Sequence, residues 1–325
     1  MGSVTGGITG SGPWAGLRRG GALPAVAMLA VAVGLNAWLQ PGFFGQASLE
    51  SNIATFAPTI LACVAQAVIV LSGELDLSLG AGVSLLNCVL ASVPAADVGG
   101  PGVVAVLALA VALALGAANG LFVAYAGLPS LVATFATGAI WYGMALAIMP
   151  QPGGEIDASL GDLYAGGLAG LPAPLLLVAA AMAGWTLFGR HRLGRRLIAV
   201  GSSRAAAFQA GVPVRRVKLL AYVAAWGLVF LSALAISSQT LSGDAQLGQA
   251  YTLTSVAAAV IGGVSLAGGR GSPWGALVGA LVLGMVANVI YFAGIPSIWQ
   301  EFFKGLVIVA ALAFMVFEQR SRRVA

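Results

Sequence analysis

"LLLVAAAMAGWTLF", residues 175–188, runs for fourteen residues without a charge. A strand of an outer-membrane barrel would alternate polar and apolar residues. This run is continuously apolar, which favours a helix. The whole chain has the same character. Its 325 residues are 59% hydrophobic and 8% charged, and the mean hydropathy is +0.98. A soluble domain carries about 25% charged residues. So few charges cannot cover a water-soluble surface of this size. The expected fold class is all-α: a polytopic membrane protein.

A membrane-spanning helix needs about 20 apolar residues. Runs of that kind predict ten spans, at about 22–39, 51–71, 79–93, 103–126, 131–149, 172–189, 217–238, 251–266, 273–292 and 299–317. The third and eighth are short. Residues 1–21 are rich in Gly and Ser and end at Arg18 and Arg19, which predicts a disordered cytoplasmic tail. The apolar run that follows is long for a signal peptide and lacks an A-x-A site, so it reads as a retained first helix.

Charge sets the expected orientation. Segment 190–218 holds Arg190, Arg192, Arg195, Arg196, Arg204, Arg215, Arg216 and Lys218, eight of the fifteen basic residues. The tail 319–325 adds Arg320, Arg322 and Arg323. Lys and Arg concentrate in cytoplasmic loops. Ten spans put both termini and the 190–218 loop on that side. The loop 150–171 carries Glu155, Asp157 and Asp162 with no basic residue and falls outside.

Short motifs recur in order. "SGE" (72–74) returns as "SGD" (242–244), "GGPG" (99–102) as "GGRG" (268–271), Asn119 as Asn288, and "AGLPS" (126–130) as "AGIPS" (293–297), at offsets of 167 to 170 residues. The reading is two five-helix repeats, about 22–149 and 172–317. Five is odd, so the copies are inverted, an arrangement common in transporters.

Much chemistry is excluded. The only lysines, Lys218 and Lys304, do not follow glycine, so there is no P-loop. The only histidine, His191, lies in the basic loop, which leaves no zinc site built on several histidines and no intramembrane Ser-His pair. Cys63 and Cys88 lie in apolar runs with no disulfide or metal spacing. The basic residues flank spans, which suits topology rather than nucleic acid. An ion-coupled secondary transporter would use ionisable groups within its spans. The candidates, Glu74, Asp76, Glu301 and Lys304, fall near predicted span ends, and the last two can pair along one helix.

Several stretches together resemble the ribose-type permeases of bacterial ABC importers. They are "SGELDLSLGAGVSLL" (72–86), "GLPSLVATFAT" (127–137), "GRRLIAVGSSRAAAFQAGVPVRRVKLLAYV" (194–223), "AAAVIGGVSLAGGRGSPWGALVGALVLG" (257–284) and "WQEFFKGLVIV" (299–309). The similarity runs from about 50 to 318. It departs at Glu74, where the family more often has a small or apolar residue. The resemblance implies a bacterial inner-membrane permease that is not itself an enzyme. It implies a homodimer, cytoplasmic ABC ATPase subunits that bind the ATP and Mg, and an external solute-binding protein. This chain would bind no cofactor. The implied solute is a monosaccharide or similar small polar molecule. The alternatives are a nucleoside or branched-chain amino-acid permease, or a secondary transporter.

In that family the basic loop is the coupling helix that docks on the ATPase. Residues 203–211 look like a short helix, which Ser202 or Ser203 can cap and Gly211 can end. The docking candidates are Arg195, Arg196, Gly201, Ser202, Arg204, Ala207, Gly211 and Val212. The competing reading is that the arginines only hold the loop inside. Asn119 and Asn288 sit within spans, as polar lining or as interhelical hydrogen bonds. Asn87, Ser130, Thr134, Thr137 and Tyr142 are further lining candidates. "SGELDLSLG" (72–80) brings two acids to the predicted cytoplasmic edge. Asp76 and Ser78 can cap the third helix. In the sharper reading Glu74 or Asp76 gates the path by pairing with Arg195, Arg196 or Arg270.

Overall fold

The computed structural model describes residues 23–296 and, beyond them, residues 298–299, 302–303, 305–306, 309–310 and 313. The expected N-terminal tail with Arg18 and Arg19, the Glu301–Lys304 pair and the C-terminal tail with Arg320, Arg322 and Arg323 lie outside the described residues. So does much of the tenth expected span, whose described residues are helical.

Six helices among the described residues are long and apolar enough to cross a membrane. They are α2 (Gln46–Leu71), α5 (Pro101–Ala124), α6 (Ser130–Ile148), α8 (Ala173–Arg190), α11 (Val214–Thr240) and α13 (Pro273–Phe292). Three apolar helices are shorter: α1 (Leu23–Leu39), α3 (Leu79–Ser92) and α12 (Gln249–Ile261). These nine coincide with the first nine expected spans, within five residues at every end. The remaining elements are α4 (Ala95–Val98), α7 (Ala158–Ala165), the two-residue strands β1 (Gly167–Leu168) and β2 (Leu171–Pro172), α9 (Arg192–Ser202) and α10 (Arg204–Gln209).

The short helices have a physical consequence. α3 has 14 residues and α12 has 13. At about 1.5 Å per residue each rises only about 20 Å, less than the roughly 30 Å of a hydrocarbon core. The chain before each one, 72–78 and 241–248, is irregular. Irregular backbone is tolerated at membrane depth only where protein covers it and satisfies its polar groups.

That cover comes from the two central helices. The most apolar stretch of α2 is 78% buried and that of α11 is 50% buried, against 17% for α8 and 22% for α6. α11 packs along both α5 and α2, and α3 lies against α6 and α11. The peripheral faces carry exposed Val132, Phe135 and Ile140, as lipid-facing helices should. Small residues allow the inner helices to approach. The fully buried Trp226 of α11 lies against Gly82 of α3 and Gly116 of α5, where an added Cβ would come within 2.5 and 2.6 Å of its side chain.

Charge separates to opposite ends. The 190–218 loop meets the turn around Gly269 at one end, which holds every basic residue from Arg190 to Arg270. The other end joins residues 150–157 to 241–244 through paired bonds between Gly153 and Gly243. It carries Asp97, Glu155, Asp157, Asp162 and Asp244.

Candidate functional site

Segment 72–78 leaves α2 through a turn at Gly73, whose φ of +82° is open to glycine without strain. Side chains of the surrounding helices take up its backbone groups. Leu75 N donates to Ser130 Oγ at 3.2 Å and Leu77 N to Thr134 Oγ1 at 2.9 Å. Tyr222 Oη donates to Leu75 O at 3.1 Å. Ser130 and Thr134, expected as possible path lining, serve here as clamps on a strap of irregular backbone. Thr137 is also buried, and its hydroxyl donates to Thr134 O at 3.3 Å. Tyr142 is half-buried against the same core.

Asp76 is the hub of the strap and is fully buried. Its Oδ1 accepts from Ser78 N at 2.8 Å and Ser78 Oγ at 2.5 Å. Its Oδ2 accepts from Trp226 Nε1 at 2.9 Å and Asn119 Nδ2 at 3.3 Å. Asn119 also donates to Ser78 Oγ at 2.7 Å. The carboxylate therefore holds the start of α3 against α5 and α11. It accepts the amide of Ser78, the residue that precedes α3, and pairs with no arginine; the expected cap by Ser78 itself is not made, because its hydroxyl is taken up by Asp76 and Asn119.

Glu74 pairs with Lys218 of α11. Both side chains are about nine-tenths buried, at 12% and 9% exposure. It is the one ion pair among the described residues. The expected partners were Arg195, Arg196 and Arg270, and the structure corrects them. Lys218 lies in the first turns of α11, on the buried face of that helix, so its ammonium reaches inward. Arg195, Arg196 and Arg270 are exposed, where water solvates a guanidinium at no cost.

The remaining asparagines have separate tasks. Asn87 Nδ2 donates to Ser237 Oγ at 2.8 Å and Ser242 O at 3.1 Å, and its Oδ1 accepts from Asp244 N at 2.7 Å. It ties α3 to the second irregular segment. Asn288 Nδ2 donates to Asn52 Oδ1 at 2.7 Å, joining α13 to α2. The repeat-related Asn119 and Asn288 thus have unlike partners. The partly buried Asn288 is the less enclosed of the two.

The basic end is built from two short helices and the turns that hold them. α9 is an 11-residue helix that the sequence reading did not anticipate. It buries Gly194, Leu197 and Val200 and exposes Arg192, Arg195 and Arg196. The inward residues recur every third position, and that spacing was the available signal. His191 Nδ1 accepts from Leu193 N at 3.4 Å to cap it. The end of α9 sits on two turns. An added Cβ at Gly201 would collide with the Leu71 carbonyl and the Gly269 amide, and Gly269 N donates to Leu71 O at 3.1 Å. Ser202 Oγ donates to Ile198 O at 2.8 Å and Gly269 O at 3.3 Å. Ser203 caps α10 by accepting from Ala206 N at 3.3 Å. Gly211, at φ +75°, closes it, with Gly211 N bonded to Phe208 O and Val212 N to Ala207 O. Arg204 is exposed, while Ala207 is buried under α10.

A cavity of about 390 Å³ opens at the acidic end, between the start of α2 and the α7–β2 region. Gln46, Glu50 and Tyr164 line it, and none of the expected path residues does. No group of three or more His, Cys, Asp or Glu among the described residues could hold a metal ion. Cys63 and Cys88 are free and buried.

The model of a family described as "Branched-chain amino acid transport system / permease component" matches residues 48–312. The chain belongs to that permease family. It is 34% identical over 306 residues to a probable ABC transporter permease, y4mJ, of Sinorhizobium fredii, covering 92% of this chain and 89% of the relative. It is 29% identical over 296 residues to the ribose import permease of Escherichia coli K12, covering 87% and 90%. It is 32% identical over 298 residues to the autoinducer 2 import system permease of an Enterobacter strain, covering 89% and 84%. No solved structure matches. The permease's matched region contains the whole 72–78 strap and both short basic-end helices, α9 and α10.

Proposed function

We propose that this permease is the membrane-spanning subunit of an ABC importer that moves a monosaccharide or related small polar solute across the bacterial inner membrane. The observation that carries the reading is near full-length similarity to permeases named for ribose and autoinducer 2 import. ATP, with its Mg, binds and is hydrolysed in separate cytoplasmic subunits, since this chain has no Gly-Lys pair for a P-loop. The basic end faces the cytoplasm by the positive-inside rule, which puts the acidic end toward the external solute-binding protein. The ten spans form two inverted repeats of five, two copies of the chain form the pathway, and both termini are cytoplasmic.

In this reading the docking residues are Arg195, Arg196, Gly201, Ser202, Arg204, Ala207, Gly211 and Val212. Gly201 and Ser202 touch the turns at Leu71 and Gly269 directly. The Glu74–Lys218 pair ties the strap to α11. A push on α9 or α10 therefore reaches the Asp76 hub through short connections, and alternating access follows from that movement.

The test is gentle extraction from the native membrane with mass spectrometry of co-purifying chains, then reconstitution with the ATPase. A stoichiometric P-loop ATPase and strictly ATP-dependent uptake are expected. Uptake by the isolated chain down an ion gradient would overturn the proposal.

A further inference from the structure

We propose that Phe208 is the anchor by which the ATPase subunit grips this permease, and that the ATPase receives it in an apolar cup with an acidic rim. The inference rests on the ABC-importer reading above. Phe208 is 74% exposed, although it lies outside all of the apolar spans. A large aromatic ring left in water gives up the free energy that its burial would supply. Aromatic residues seated in a partner's pocket, ringed by polar contacts, carry most of the affinity of many interfaces.

The mount of the ring is rigid. Ser203 fixes the start of α10, and the Gly211 and Val212 amides fix its end. Ala207, the neighbour of Phe208, is 5% exposed and packs into the main core. The side chain is thus held outward from a fixed base, so binding loses little further freedom. Arg204 lies one helical turn before it, on the same face. Arg192, Arg195, Arg196, Arg215 and Arg216 on the flanking helices are also exposed, and none has a carboxylate partner among the described residues. Exposed arginines on the same helix face and on the flanking helices select an acidic counterpart.

A membrane surface is the competing occupant, since it too attracts basic residues and aromatic rings. The packing favours protein. α9 packs on α8, and its end lies over the end of α2, the most buried of the six long helices, with Gly201 against Leu71 and Gly269. α10 continues from it and packs on α9 and α11. Its inward residue, Ala207, is buried in the main core.

The experiment uses the full-length permease in lipid nanodiscs with its cognate ATPase. Phe208→Ala leaves the fold intact because the ring is exposed, and it weakens ATPase association by about 30-fold or more. Phe208→Leu keeps an apolar knob and loses much less. Gln209→Cys, beside the ring, reports the footprint. Cys63 and Cys88 are buried, so a charged maleimide reads the new thiol. Rapid labelling without ATPase and at least tenfold protection with it are expected. Wild-type affinity in Phe208→Ala, or unprotected labelling of Gln209→Cys, would overturn the anchor while leaving the importer reading intact. Slow labelling before ATPase is added would place this surface in lipid and also overturn it. A wild-type chain that binds no ATPase would overturn the importer reading as well.

Discussion

Segments 72–78 and 241–248 solve one problem in two ways. Each leads into a helix too short to span a membrane, and each has an aspartate that accepts the backbone N–H two residues on. Asp76 bonds Ser78 N, and Asp244 bonds Gln246 N at 2.8 Å. The surroundings differ. Asp76 is sealed inside and holds three further donors. The second segment relies on a backbone bridge, Gly153 to Gly243, and on the neutral amide of Asn87. The first segment also has an ion pair, Glu74–Lys218, and lies under the end of α9. Buried charge holds the first segment, and neutral bonds hold the second.

Removing the hub should have the largest effect. Asp76→Leu leaves Trp226, Asn119 and Ser78 with unpaired buried donors, each costing about 1–3 kcal/mol. The expected outcome is a severe loss of folded protein in detergent, followed by size-exclusion and thermal unfolding. Asp244→Leu, half-exposed, should cost only about 1 kcal/mol. Equal losses at the two positions would erase the distinction between the segments.

Next is the ion pair. Glu74→Gln or Lys218→Met alone strands a buried charge and should destabilise by about 3–5 kcal/mol, while Glu74→Leu with Lys218→Met should recover most of it. If the double variant regains stability but not ATP-driven uptake, the pair transmits movement. If it regains both, the pair is only structural.

Gly201→Ala should cost about 1–3 kcal/mol by overpacking against Leu71 and Gly269. Uptake should fall further than thermal stability does. The corresponding intrusion at the other end, Gly153→Ala, meets no atom closer than 3.9 Å and should be mild in both assays.

The smallest effect belongs to the acidic end. Asp157 caps α7 by accepting from Ser159 N at 2.9 Å, and the Ser159 side chain together with that amide holds its carboxyl below the usual range. A depressed folded-state pKa stabilises above the unfolded value and is lost as pH falls through the folded one. Local protection of α7 in hydrogen exchange should therefore weaken as pH drops below about 4. Asp157→Ser keeps a cap without the titration and should flatten that dependence.

The sequence by itself determined the nine described apolar helices, the opposed basic and acidic ends, and the breaks before α3 and α12. These follow from local quantities: the length of an apolar run, the position of a charge beside it, and glycine at a turn. The α10 start at Ser202 or Ser203 and its end at Gly211 were legible for the same reason, and the structure chose Ser203. Only the tertiary structure decided the partners. Glu74 finds Lys218, 144 residues away, rather than an arginine. Asp76 finds Trp226, 150 residues away, and Asn119 and Thr134 become clamps. Phe208, no different in sequence from any other aromatic, stands out because Ala207 beside it is the residue that turns inward. Such pairings depend on which side chains come within about 3 Å across folded helices, and no local pattern encodes that distance.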